Sequence, residues 1–361
     1  MRKKRRQSSN EEALELLGNA REHHLSTTLS DGTPVLRVLN GVLVENWLLF
    51  HGALVGEKVQ CFGQRAVVSS YEVVANIPSY FVDEHKACPA TTLYRSAQAT
   101  GVLVQVTEPR LKATMLQTLM EKLQKEGGHV PIDSGDPLYE KSLKSVTVFG
   151  FRIESLAGKK SLGQDRSAER TQKVVRGLWG RGAPGDLRAI EQILELSPQA
   201  RPEEWSKAGE FTFIVHPEPH YVEEHALLLE GQYWREDSTR RQIERAISLS
   251  SAWVGVLDGE GYLLGAGRAV TDGEWVAQIV DVVVAARARG RGLGRGLMGL
   301  LLDHPLVKYC RHQKLGTMDA VRFYEALGFV EQEKVESPFE VTSLCRTGQQ
   351  RPDARRGFVG D

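Results

Sequence analysis

The chain has 361 residues, 41% hydrophobic and 25% charged, with 46 Lys+Arg against 46 Asp+Glu. That length is more than one hydrophobic core usually serves, so two soluble globular domains are expected. The balanced charge argues against nucleic acid or a membrane surface as partner, and no apolar run reaches the ~20 residues that cross a bilayer.

Residues 1–10 open with Arg2, Lys3, Lys4, Arg5 and Arg6, but Ser8, Ser9, Asn10, Glu11 and Glu12 follow where a signal peptide needs an apolar core. A disordered basic leader is expected. Cys61, Cys88, Cys310 and Cys345 are scattered without a Cys-x-x-Cys, which suits reduced thiols in a cytoplasmic protein. His85-x-x-Cys88 supplies two ligands and no second pair, so no metal is expected.

From residue 33 to 153 the signals are mostly those of strands. Residues 35–39 and 47–51 read as a hairpin about Gly41, and 67–75 and 93–106 as further extended segments. One helix is predicted over 109–126, with Leu111, Met115, Leu119 and Leu123 on one face and Gly127-Gly128 as its stop. Residues 144–153 close the set. Many strands with one helix suggest a small antiparallel barrel.

Three strings say more: Phe50-His51-Gly52-Ala53 with Gly56-Glu57-Lys58, the run Ala87-Cys88-Pro89-Ala90-Thr91-Thr92-Leu93-Tyr94-Arg95-Ser96, and Leu162-Gly163-Gln164-Asp165-Arg166-Ser167. They resemble the pyridoxamine-phosphate-oxidase-like, nitroimidazole-resistance (Nim) type of flavin-binding split barrel. The resemblance implies FMN, a homodimer through the barrel, and flavin contacts from Arg37, Asn40, His51, Lys58, Tyr94 and Ser96. Ala97 and Gln98 depart from the apolar β-branched pair such barrels usually carry.

Two helical segments broken at 180–185 follow. The polar, proline-punctuated stretch 198–209 is the expected linker, which bounds a first domain at 11–197. In the second, 210–346, a strand at 211–215 precedes helices over 225–234 and after Asp237 or Ser238. Strands at 252–257 and 262–270 then meet at an Asp258-Gly259-Glu260-Gly261 turn. The β-branched run 276–284 reads as a strand buried on both faces, and Leu293, Leu297, Leu300 and Leu301 mark a helix.

Between them lie Gly290, Gly292, Gly294 and Gly296 with Arg287, Arg289, Arg291 and Arg295. Unpartnered helix N-terminal amides, glycines that let backbone approach and arginines together suit a diphosphate. A P-loop lacks its Lys-Ser/Thr here. A dinucleotide motif at Gly294 lies too far from the strand and leaves too little chain after Asp319.

What remains is Arg289-Gly290-Arg291-Gly292-Leu293-Gly294, which resembles the coenzyme A loop of GNAT N-acetyltransferases. Phe323-Tyr324 with Gly328-Phe329 resembles their last element. Gln232-Tyr233-Trp234 with Thr317-x-Asp319-Ala320 is similar to a bacterial subgroup. The fold expected here is α/β with a mixed central sheet. The resemblance implies direct acetyl transfer from acetyl-CoA to a small amine or a protein lysine. Val282, Val283 and Val284 would offer backbone amides, Arg289 to Arg295 the diphosphate site, and Tyr324 the proton for the departing thiolate. Asp281 is the candidate base, and Tyr233, Trp234, Thr317 and Asp319 the acceptor site. The rival reading is a flavin-dependent reductase whose second half only senses acetyl-CoA. Residues 347–361 read as a disordered tail.

Overall fold

The computed structural model describes residues 4–53, 55–125, 127–207, 210–331 and 342–347. Residues 1–3 of the expected leader, Glu126 at the expected helix end, residues 208–209 of the expected linker and the expected tail from 348 lie outside the described residues. Two compact units separate, residues 1–76 with 91–165 and residues 77–90 with 166–361. No helix of the described residues is long and apolar enough to cross a membrane.

The first unit runs α1 (Asn10–Asn19), β1 (His23–Thr28), β2 (Pro34–Leu39), β3 (Gly41–Val44), β4 (Trp47–Gly52), α2 (Glu57–Gln60) and β5 (Arg65–Ile77). It continues with β6 (Thr91–Val102), β7 (Val104–Val106), α3 (Pro109–Leu123), α4 (Pro137–Ser145), β8 (Thr147–Arg152) and β9 (Ser155–Ser161). Two sheets form, in the orders β2-β1-β5-β6-β9 and β3-β4-β8-β7. Their inner faces supply Leu25, Val68, Ala97, Phe50, Phe149 and Phe151 to one core. Each fully buried Phe contributes roughly 1.5–3 kcal/mol.

Several expectations change in this unit: α1, α2 and α4 join the one helix expected, and α4 takes residues 144–145 from the closing strand. Residues 35–39 do not pair with 47–51. They pair with β1, whose polar His-His-Leu-Ser-Thr-Thr hides it from any alternation rule, while β3 and β4 make the hairpin through Glu45 at φ 51°. The run 93–106 divides between the two sheets at Leu103, whose backbone bonds Gly63 and Gln64 instead of a ladder. The leader is ordered from Lys4: Arg6 pairs with Asp165 at 2.7 Å and the Ser8 amide donates to Gly158.

The second unit holds α5 (Ala168–Arg181), α6 (Asp186–Leu196), β10 (Ser206–Lys207), β11 (Phe211–Ile214), α7 (Pro219–Leu229), α8 (Arg240–Ser248) and β12 (Ala252–Leu257). β13 (Leu263–Thr271), β14 (Val276–Val284), α9 (Leu293–Asp303), β15 (His312–Thr317), α10 (Val321–Glu325), β16 (Val330–Glu331) and β17 (Thr342–Thr347) complete it. The sheet order is β10-β11-β12-β13-β14-β15-β17-β16, with β14 and β15 parallel.

The unit boundary falls at 165/166, not at the expected linker 198–209. α6 belongs with the second sheet because the Glu191 carboxylate accepts from the Val215 amide at 2.7 Å. The expected linker is likewise structured: Arg201 donates to the Phe213 carbonyl at 2.7 Å, and Ala200 and Trp205 are buried. The helix expected over 225–234 ends at Leu229, leaving Tyr233–Arg235 as a separate 3-10 turn, and Thr239 caps α8 with Gln242 in a capping box.

Candidate functional site

β14 and β15 are hydrogen-bonded only through Val276–His312, Ala277–Gln313 and Gln278–Lys314. Beyond Gln278 they part, and the β14 amides that faced β15 lose their strand partner. A cleft of about 880 Å³ occupies the gap, lined by both strands, the 288–295 loop, the 232–235 turn and α10. This explains why β14 is not buried on both faces as expected. Asp281 and Val283 are buried while Val280, Val282 and Val284 are half-buried along the cleft.

A bulge in β14 sits at the centre. The register against β13 shifts between Ala266 and Arg268, and Asp281 adopts φ 55°, a left-handed conformation that aspartate tolerates better than most residues. Its carboxylate accepts from Arg235 Nε at 2.8 Å, Arg235 Nη2 at 2.7 Å and Arg268 Nε at 2.6 Å. Its backbone carbonyl accepts from His225 Nε2 at 3.0 Å. Trp253 Nε1 donates to His225 Nδ1 at 3.1 Å, which sets the tautomer and keeps the buried imidazole neutral, its pKa pulled down to about 4 by burial. Both oxygens are held by guanidinium groups, which makes Asp281 their counter-ion where a base was expected.

Arg235, Arg268 and His225 went unread in the sequence. Arg268, a lone charge within the apolar run 263–270, carried the one signal that could have marked it.

Against the cleft, α9 begins at Leu293 after Gly290 (φ 75°) and Gly292 (φ 73°). Both conformations need glycine. The helical ladder opens with the Gly296 amide bonding the Gly292 carbonyl, so the amides of Leu293, Gly294 and Arg295 have no partner in the helix. No side chain caps this end. Arg289 and Arg295 line the cleft beside these amides, a donor set that fits a diphosphate. Arg291 does not line it: its guanidinium bonds Glu210 at 2.7 Å and lies over the Phe211 ring. That removes Arg291 from the expected contacts.

The same cleft is lined by Tyr324, Tyr233, Trp234, Thr317 and Asp319. Burial, with Tyr233 and Asp319 nearby, pushes the Tyr324 phenol up to about 12, so it stays protonated. The Ala320 amide before α10 donates to Thr317 Oγ1 at 3.0 Å, and no side chain caps the helix.

The six residues expected around a flavin are spread over β2, the β2–β3 link, β4, α2 and β6 of the first unit. Arg37 on β2 ion-pairs Glu57 beside Lys58, and the Lys58 ammonium reaches Phe149 and Gly52, next to His51. Asn40 lies between β2 and β3. Tyr94, held by Lys159, and Ser96 lie on β6, three strand spacings from β2, about 14 Å by the usual strand separation. Arg37 and Lys58 together suit a flavin phosphate.

Residues 9–160 match the family model described as pyridoxamine 5'-phosphate oxidase, and residues 191–329 that of the acetyltransferase (GNAT) family. Among solved structures, the FAD and heme binding protein from Mycobacterium smegmatis is 20% identical, covering 46% of this chain and 78% of its own at a TM-score of 0.38. A protein assigned to the GNAT family from Xanthomonas campestris pv. campestris is 25% identical over 35% of this chain and 94% of its own, TM-score 0.30. A 5-nitroimidazole antibiotic resistance protein, so described, from Bacteroides thetaiotaomicron VPI-5482 is 14% identical over 42% and 84%, TM-score 0.35. No curated protein matches the chain.

Proposed function

Given a chain that joins a pyridoxamine 5'-phosphate oxidase-like domain to a GNAT-family domain, we propose that it is an N-acetyltransferase using acetyl-CoA. The observation that carries this is the continuity of the cleft. One cavity adjoins the glycine-arginine loop, the unpaired edge of β14 and the Tyr324 hydroxyl. The unpartnered amides of α9 with Arg289 and Arg295 hold the diphosphate. The β14 amides that face the cleft bond the thioester carbonyl and stabilise its oxygen as negative charge develops.

An amine nitrogen, small-molecule or lysine, attacks that carbonyl carbon; the C–N bond forms, the C–S bond breaks, and Tyr324 protonates the leaving thiolate. The nitrogen releases its extra proton through water, from which Tyr324 is reprotonated. Asp281 positions rather than abstracts: it ties Arg235, one residue from the Tyr233-Trp234 wall, to the β14 bulge.

Thiol release from acetyl-CoA across an amine panel tests the reading. Tight acetyl-CoA binding with no release for any amine supports the non-catalytic sensor in its place.

For the barrel we propose FMN held between two copies, with Arg37 and Lys58 at the phosphate. Leu36 and Val38 of β2 share an exposed sheet face with Val67, Tyr71 and Val73 of β5, which supports pairing of two barrels. Flavin absorbance retained after desalting FMN-loaded protein tests it.

A further inference from the structure

We propose that the acceptor is a dication: a primary amine carrying a second cationic group, which Asp319 and Tyr233 hold in the cleft. This rests on the acetyl-transfer reading and names its substrate class. Two carboxylates line the cleft, and they are in opposite states. Asp281 is fully engaged by Arg235 and Arg268. Asp319 meets only hydroxyl groups, Tyr233 OH and Thr317 Oγ1, each at a long 3.5 Å, and among the described residues no Lys, Arg or His pairs with it. It is exposed, so its charge is available to a ligand.

Tyr233 is oriented for the same task. Its oxygen accepts from the Met318 amide at 3.2 Å, leaving its proton for Asp319. Its ring meets Trp234 edge to face at 4.7 Å, and a cation beside Asp319 gains the faces of this aromatic wall.

The charges lining the cleft agree. Arg289 and Arg295 accompany the unpartnered α9 amides, whereas Asp319 stands beside Tyr233 and Thr317. Arg235 also lines the wall, but its Nε and Nη2 are bonded to Asp281, and the remaining positive charge of that triad, Arg268, is buried and does not line the cleft.

A carboxylate beside the reacting nitrogen would hold it as ammonium and oppose attack. Asp319 is therefore suited to a charge that persists through the transfer, not to the nitrogen that loses one.

Three probes separate the possibilities on the full-length protein: putrescine, pentylamine of the same length with one charge, and γ-aminobutyrate with a carboxylate at the far end. Binding is read by calorimetry in the presence of CoA, and turnover by thiol release from acetyl-CoA. Putrescine is expected to bind about tenfold more tightly than pentylamine, the scale of one hydrogen bond to a charged group, with the gap expressed in KM. Asp319→Asn should equalise the two amines, and Tyr233→Phe should narrow the gap. Equal binding of putrescine and pentylamine, preference for γ-aminobutyrate, or a gap that survives Asp319→Asn overturns the proposal. Selective putrescine binding without thiol release upholds the dication site and removes the acetyl-transfer reading. Equal turnover of the two amines does the reverse.

Discussion

Asp281 and Asp319 show how differently one residue type can be used within a single cleft. Asp281 is the counter-ion of two guanidinium groups, and Arg268 is itself buried. Asp281→Asn keeps the side-chain shape and the tolerance for positive φ and removes only the charge. Leaving a buried arginine unpaired costs about 3–5 kcal/mol, so a large drop in melting temperature is expected. A base would behave otherwise: the variant would melt normally and lose a limb of its pH–rate profile. Tyr324 poses the complementary case. As proton donor, its replacement by Phe should lower kcat about a hundredfold with the Kd for acetyl-CoA unchanged. Because its phenol is raised to about 12, no fall in rate at alkaline pH should be traceable to it over the range the fold tolerates. An unchanged kcat in Tyr324→Phe removes Tyr324 from the mechanism.

At the scale of elements, the site depends on where α9 lies against the sheet. A Cβ at Gly296 would run into the Phe213 ring of β11, so the glycine sets how closely helix and strand approach. Gly296→Val is expected to displace the start of α9. Acetyl-CoA affinity should then fall at least as sharply as stability, as calorimetry and melting would report together. The same element carries Gly292, where left-handed backbone costs any other residue roughly 1–2 kcal/mol. In the barrel, the exposed β2-β5 face leads to a separate expectation. Leu36→Asp should halve the apparent mass in light scattering without lowering the melting temperature of the isolated protomer; an unchanged mass argues against pairing through this face.

For the whole molecule, three buried histidines make stability acid-sensitive. Burial lowers His23 and His225 to about 4 and His304 to about 3, from 6.5. A base with a depressed pKa stays neutral in the fold while the unfolded chain takes up a proton below 6.5. Stability is therefore unaffected above that pH and falls below it, by up to about 1.4 kcal/mol per pH unit for each histidine, until the folded pKa is reached. His23 lies in the first unit and the other two in the second, so both should melt earlier as pH drops from 6.5 toward 4. Constant melting temperatures across that range contradict the assignment. Saturating acetyl-CoA should raise only the transition of the second unit.

Chain order alone was enough for features built from neighbours. The strand at 276–284, the positive-φ glycines and the helix after them follow from β-branching, glycine permissiveness and 3.6-residue periodicity, all properties of a few consecutive residues. So do the two helices between 168 and 196. The sheet partners of β2 were not legible, since a polar β1 breaks the alternation and pairing is a choice among distant segments. Nor was the fate of Asp281. Whether a carboxylate is a base or a counter-ion depends on Arg235, 46 positions upstream, and Arg268, 13 upstream, and folding alone brought those guanidinium groups to it.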